Sequence, residues 1–392
     1  MDHFEVIVIG AGPAGAVAAR DMARAGARVA LVDGSHPREK PCGGGVTGRA
    51  LELIAGLSGC LRGQSIGSVR FEAGSRAATV ELPPAYLEVF SREAFDLALA
   101  DQARDAGAVP IAARVTAISR QAGWTVNAGG RTLTAPLLLG ADGAAGTVRK
   151  LVTTPFERSQ LSIAAGSYVD RSGISEIVIR FVDEPRGYLW SFPRPGHLAV
   201  GTCAQADVTS TAAMHAVTDR WLAGYQPAAG RPRRRYAWPI PSLGAADLDR
   251  EQPGGSGWML LGDAAGLVDP ITREGIYFAV RSGLLAAESL GAPDPPRRYA
   301  EAIRDELHDE LRRAARLKAG FFRPRFTSLL IDALGQSDAV REVMIDLVAG
   351  RQPYRGLKRR LLGTLEVSLA WRMLRQTGGW RLGGGGWSRE GL

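Results

Sequence analysis

Lysine is nearly missing from this chain of 392 residues: of its 48 basic residues only Lys40, Lys150, Lys318 and Lys358 are lysine. The skew reads either as the mark of a GC-rich coding sequence or, with a net charge of +8, as a basic face for an anionic membrane or an acidic electron-carrier protein. The arginines form no nucleic-acid-binding module, so no nucleic-acid partner is expected. Cysteine is scarce too. Cys42, Cys60 and Cys203 cannot build a disulfide framework, which points to a reducing, cytoplasmic setting. His3, His36, His197, His215 and His308 show no metal-ligand spacing, so no metal is expected, and His36 reads as a surface residue. No run of about 18 apolar residues occurs, which excludes a membrane-spanning helix and leaves a peripheral contact as the only membrane association to consider. The first residues carry no basic leader and glycines interrupt the apolar run after Ile9, so no secretory signal is expected. No internal repeat is visible.

Glycine, by contrast, is abundant, at 49 residues, which suits tight turns and backbone pressed against a ligand. Phe4 to Ile9 reads as a buried parallel strand. Gly10-Ala11-Gly12-Pro13-Ala14-Gly15 follows, then a helix from about Ala14 to Ala25, then a strand Val29 to Val32 ending at Asp33. This is the strand–GxGxxG–helix–strand–acid arrangement of a dinucleotide site. Gly10 permits the turn, Gly12 lets backbone approach a pyrophosphate, and Gly15 lets the helix pack against the strand. The helix N-terminus faces the phosphates with its partial positive charge, and Asp33 can accept from the adenosine ribose.

That motif alone does not separate NAD from FAD. Two later strands do: Leu137 to Gly140 with Ala141-Asp142-Gly143 and Arg149 beyond, and Met259 to Leu261 followed by Gly262-Asp263-Ala264-Ala265-Gly266, read as opening a helix. The three segments resemble the fingerprint set of the FAD-dependent hydroxylase-like superfamily, although the usual serine of the middle one is Gly146. The resemblance implies FAD, with Asp263 on the ribityl chain and the following helix aimed at the flavin. The cofactor set it implies is Gly10, Gly12, Ala14, Gly15, Asp33, Cys42, Gly43, Gly44, Arg92, Val115, Asp142, Gly262, Asp263, Gly275 and Ile276. Arg92, at the start of a helix Ser91 to Ala106 capped by Ser91, reads from spacing alone as either a phosphate ligand or a solvated arginine. Its Arg-x-x-Phe-Asp context resembles the cofactor-binding one. No second GxGxxG follows a strand, so the reductant is either a visiting NAD(P)H or a ferredoxin-like protein.

The expected fold is α/β: an FAD-binding Rossmann-like domain of the glutathione-reductase/p-hydroxybenzoate-hydroxylase type, an antiparallel-sheet substrate domain and a helical C-terminal region. The FAD domain is assigned residues 1–75, 90–150 and 245–300. The substrate domain takes 76–89 and 151–244, with strands Leu161 to Val169, Ile177 to Val182, Tyr188 to Phe192 and Leu198 to Ala204. Residues 301–392 are expected to be helical. Arg355, Lys358, Arg359, Arg360, Arg372 and Arg375 lie there among leucines. They form either an amphipathic helix on an anionic bilayer or a core-packed helix with a solvated basic face.

Three further segments narrow the chemistry. Lys40-Pro41-Cys42-Gly43-Gly44-Gly45 can lie flat against a large group such as the isoalloxazine ring. Tyr188-Leu189-Trp190-Ser191-Phe192-Pro193 puts three aromatics on one strand face, which by pattern alone is also a core stripe. The third is Asp269-Pro270-Ile271-Thr272-Arg273-Glu274-Gly275-Ile276. Together they resemble the geranylgeranyl reductase family, whose members reduce carbon–carbon double bonds of prenyl chains on lipids, quinones or chlorins. Two positions depart from its pattern: Arg273 replaces the glycine of Thr-Gly-Glu-Gly, and Gly201-Thr202-Cys203 replaces Gly-x-Gly.

An isolated alkene cannot hold the negative charge that hydride alone would create. A workable route delivers a proton at nearly the same moment as hydride, so positive charge develops at the more substituted carbon. Tyr188, Trp190 and Phe192 can stabilise it through their π-faces. Cys42 is a candidate proton donor, a mobile part of the loop, or a small packing residue. The competing reading is an FAD-dependent monooxygenase or halogenase acting on a hydrophobic or aromatic molecule, for which Lys40 is the nearest candidate for a tunnel lysine.

Overall fold

The computed structural model describes residues 1–54, 56, 61–170, 173–225 and 232–363. At its centre is a six-stranded sheet in the order Gly254–Gly255, Trp258–Leu260, Leu137–Gly140, Val6–Ile9, Val29–Val32, Val109–Ile111, parallel except at the Gly254–Gly255 edge. Val6–Ile9 and Val29–Val32 are buried along their whole length, as expected of strands covered on both faces. The carboxyl ends of these two strands and of Leu137–Gly140 bring Gly10, Asp33 and Ala141 to one edge, where α/β sheets bind ligands.

Helix Pro13–Arg24 covers one face and packs on helix Ile276–Glu288. A Cβ at Gly283 would lie 2.5 Å from the Ala14 carbonyl oxygen, so only glycine allows this crossing. Helix Arg92–Asp105 begins where the sequence indicates, with Ser91 Oγ accepting from Ala94 N, and buries Phe95 and Leu99. A four-stranded sheet of Asp2–His3, Arg131–Ala135, Trp124–Ala128 and Val115–Arg120 packs on the same core.

The second layer is a seven-stranded sheet in the order Pro232–Pro241, Leu161–Asp170, His197–Gln205, Arg186–Arg194, Glu176–Asp183, Ser68–Ala73, Arg76–Glu81. Its four central strands match the expected ones to within a few residues. Ser68–Ala73, assigned from sequence to the FAD domain within 1–75, belongs here instead. It pairs in parallel with Glu176–Asp183, a partner over 100 residues away that no local pattern reveals. Leu87–Val89 leaves this layer and pairs with Gly45–Thr47.

The Gly262-Asp263 segment does not open a long helix. It forms a single 3-10 turn, Gly262–Ala265, ended by Gly266 in the left-handed region at φ 74°. A loop through Pro270 follows, and the helix starts at Ile276, after Gly275.

Helices Asp309–Phe321, Pro324–Gln336, Asp338–Val348 and Leu357–Gly363 complete the described chain. Pro324–Gln336 lays Phe326, Leu330 and Leu334 against Val69, Phe71 and Ala78 of the large sheet. Among the described residues no helix is long and apolar enough to cross a membrane. Of the basic C-terminal cluster, Arg372 and Arg375 lie outside the described residues.

Candidate active site

The glycine motif forms a tight cradle. Gly10 has φ 107°, and a Cβ there would stand 2.3 Å from Ala141 O; one on Gly15 would stand 1.9 Å from Gly10 O. Gly12 caps helix Pro13–Arg24 without a side-chain bond, so no side chain takes up its first N–H groups, and a Cβ on it would meet only His36 Nε2, at 3.8 Å. Gly275 likewise caps the Ile276 helix with no side-chain acceptor. Two open helix N-termini and a cradle that added methyls would fill fit the pyrophosphate and ring of FAD. Ala14 is buried at the start of the first helix.

Asp33 accepts from Ala11 N at 2.9 Å and faces His36 Nδ1 at 2.7 Å. His36 is not a surface residue: its Nε2 also reaches Asp96 Oδ2, at 3.1 Å, and its side chain is only 11% exposed. Burial disfavours the imidazolium, but the bonds to Asp33 and Asp96 outweigh it and raise the His36 pKa. Against the cost of burial, His36 and the N–H groups of Ala11 and Ser35 hold Asp33 well below the usual carboxylate range.

Arg92 is buried, not solvated. Its Nε and Nη2 reach Asp96 at 3.0 and 2.9 Å, and its Nη1 donates to Cys42 Sγ at 3.4 Å. Val115 is half-buried in the four-stranded sheet, beside the backbone that packs on Gly34. Asp142 Oδ2 accepts from Val148 N at 3.0 Å. A Cβ at Gly146 would lie 2.1 Å from Asp142 Oδ1, so this carboxylate occupies space that a serine would need. Arg149 pairs with Glu251 and donates to Ala264 O at 3.1 Å, tying the middle segment to the Gly-Asp turn.

The remaining expected residues meet around one cavity of about 270 Å³, lined by Cys42, Gly43, Gly44, Arg92, Tyr188, Trp190, Phe192, Asp263, Gly275 and Ile276. Gly262 lies behind Asp263 in the turn, with its N–H bonded to Ser282 Oγ. Asp263 pairs with Lys40 Nζ at 3.1 Å.

The glycine loop packs closely on protein: a Cβ on Gly43 would be 2.9 Å from the Phe192 ring. The expected aromatic face is real. Tyr188 and Trp190 have ring centroids 5.9 Å apart, and Tyr188 stacks on Phe322 at 6.3 Å and 10°.

Sequence reasoning missed four contributors. Arg194 continues the 188, 190, 192 parity, which was the available signal. Its Nη2 donates to Cys42 O at 2.6 Å and its Nε to Gly43 O at 3.2 Å, clamping the loop, and burial pushes its pKa down to about 10. Glu39 pairs with Arg194 and accepts from Arg92 N at 2.9 Å. Phe321 and Phe322, from the C-terminal region, close the cavity. Nothing local links them to a strand more than 100 residues earlier. Among the described residues no cluster suited to a metal ion occurs.

An FAD binding domain family model matches residues 3–170. Over 370 residues the chain is 30% identical to the menaquinone reductase of Mycobacterium tuberculosis, covering 83% of this chain and 86% of that protein. It is 29% identical to the geranylgeranyl diphosphate reductase of Rhodobacter capsulatus, covering 73% and 74% of the two chains. The solved structure of a geranylgeranyl bacteriochlorophyll reductase-like protein from Thermoplasma acidophilum superposes with a TM-score of 0.77 at 20% identity, over 93% of this chain and 100% of that one, a likeness of fold.

Proposed function

The chain belongs to the geranylgeranyl reductase family of FAD-dependent oxidoreductases, and from that premise we propose that it hydrogenates carbon–carbon double bonds of a prenyl chain carried on a lipid, a quinone or a chlorin. The carrying observation is one cavity that runs from Pro13, Asp263 and Gly275, beside the glycine cradle, to an aromatic wall of Tyr188, Trp190, Phe192, Trp238, Phe321 and Phe322. The glycine cradle, Asp263 and the Ile276 helix terminus would hold FAD, which in its reduced form would supply the hydride.

The protein's own residues do the rest. The aromatic wall excludes water and offers π-faces to the cationic character that develops on the alkene. Cys42 is the proton donor in this reading. A thiol that gives up its proton leaves a thiolate, and three donors already point at the sulfur: Gly44 N at 3.1 Å, Arg92 Nη1 at 3.4 Å and Arg194 Nη2 at 3.7 Å. Lys40, which a halogenase would need free, is engaged with Asp263, and this favours reduction over oxygen chemistry.

The electron donor in this proposal is NAD(P)H or an acidic ferredoxin-like protein, the second suited to a net charge of +8. Peripheral contact with an anionic bilayer through the basic C-terminal region would bring prenyl lipids to the cavity. The test is anaerobic photoreduction of the holoprotein followed by addition of a prenyl lipid. Reoxidation of the flavin supports the reading, and a flavin that stays reduced until oxygen enters counts against it.

A further inference from the structure

One side chain at the cavity wall, Arg273, and the group it bonds to behind that wall have no part in that chemistry. Arg273 lines the cavity with its backbone in the left-handed region, φ 62°, which glycine adopts at lower cost. The family pattern has glycine there, so the arginine is held against a backbone preference. Its Nη1 donates to Ser242 Oγ at 2.5 Å. The same hydroxyl accepts from Lys318 Nζ at 2.6 Å, and Lys318 also donates to Gln205 Oε1 at 2.7 Å and to Ser242 O at 3.2 Å. Two cations therefore meet on one serine, and their hydrogen-bond partners among the described residues are neutral.

The second departure from the family pattern lies in the same place. Cys203, where the pattern has glycine, pairs across the sheet with Tyr188 and Ala164, and its thiol contacts Arg273 and Ser162. Burial keeps that thiol protonated by raising its pKa, so it supplies no counter-charge. The Nε of Arg273 is buried without a hydrogen-bond partner. Burial, then the Arg273 charge, pushes the Lys318 ammonium down to about 7; Cys203, Asp207 and Asp247 also act on it, in the opposite sense.

We propose that Arg273 and Lys318, joined through Ser242, form an anion site for the phosphate-type head of the substrate. The assignment to substrate rests on the prenyl-reductase reading; the anion site itself does not. A dianion matches two cations, whereas a neutral quinone head would bring no counter-charge to either. Tyr188 Oη donates to Thr272 O at 3.4 Å, next to Arg273, so a head held there starts a tail along the aromatic strand toward the Cys42 loop.

The experiment is calorimetric titration of the FAD-loaded protein at about pH 8, a unit above the Lys318 value, in buffers of different ionisation enthalpy. The probes are inorganic diphosphate, a prenyl diphosphate and the matching prenyl alcohol. Inorganic diphosphate is expected to bind with net proton uptake, as Lys318 is recharged. The prenyl diphosphate is expected to bind about ten-fold or more tightly than the alcohol, the scale of a charge-assisted hydrogen bond. Arg273→Gly, which suits the local backbone, should erase that preference, and Lys318→Met should erase the proton uptake, both with unchanged flavin content. Diphosphate binding unaffected by Arg273→Gly, or equal affinity for diphosphate and alcohol, overturns the proposal. Diphosphate binding with no reduction of any prenyl chain supports the anion site and removes only the reductase reading.

Discussion

Gly43 lies face-on to the ring of Phe192: a Cβ at 43 would stand 2.9 Å from the ring's Cγ and Cδ1 atoms. The loop after the second core strand and the third aromatic of the substrate sheet are therefore one packed unit. Gly43→Ala should push loop and ring apart, cost about 1–3 kcal/mol as overpacking does, and lower turnover. Combining it with Phe192→Leu should recover part of that loss, because the smaller side chain makes room. Denaturant unfolding of the two single variants and the double variant measures the coupling, and strict additivity would refute it.

The Asp33–His36–Asp96 chain predicts a defined pH dependence. The folded His36 pKa lies above 6.5, so its stabilisation is complete below 6.5 and is lost as pH climbs through the folded value. Asp33 and Asp96 lie below their ordinary 3.8, so theirs is complete above 3.8 and is lost as pH falls through the lowered values. His36→Gln should flatten the alkaline limb of the stability profile. Urea midpoints measured from about pH 6 to pH 9 check this, and an unchanged alkaline slope would show that His36 is not charged in the fold.

Much of this arrangement is legible in the chain, for physical reasons. The Gly10–Gly15 cradle, the Ser91 cap and the 188, 190, 192 parity are local, and each rests on a constraint that acts within a few residues. The misread features depend on distant partners. His36 is buried by Asp96, which is 60 residues away. Ser68–Ala73 joins the large sheet through a parallel partner. The helix expected directly after Asp263 is delayed to Ile276 by the left-handed Gly266 and the loop through Pro270. Arg194 stood one step beyond the aromatic triplet on the same face.

Trp190 is buried, and Gly201 makes room for it: a Cβ at 201 would lie 2.5 Å from the indole. Loss of its π-face in Trp190→Leu should remove about 0.5–2 kcal/mol of cation stabilisation, or about 2- to 30-fold in rate, while flavin content stays intact. Single-turnover reoxidation of the reduced variant by a prenyl substrate is the readout. An unchanged rate would make the aromatic strand a packing surface only.

Cys42→Ser should keep FAD, because the loop stays clamped through the Cys42 and Gly43 carbonyls held by Arg194. A hydroxyl is a far weaker acid than a thiol, so turnover should fall by about 10²- to 10⁴-fold, the usual span for a lost general acid. Full turnover with normal flavin content would assign Cys42 to packing.

The central claim is that reduced flavin in this cavity saturates a prenyl double bond. Its most direct test is mass spectrometry of a prenyl lipid incubated anaerobically with the reduced holoprotein. The account predicts a gain of two hydrogens per bond, with one equivalent of flavin reoxidised for each. An unaltered lipid under those conditions, with product formed only in air and carrying added oxygen or halogen, would contradict it.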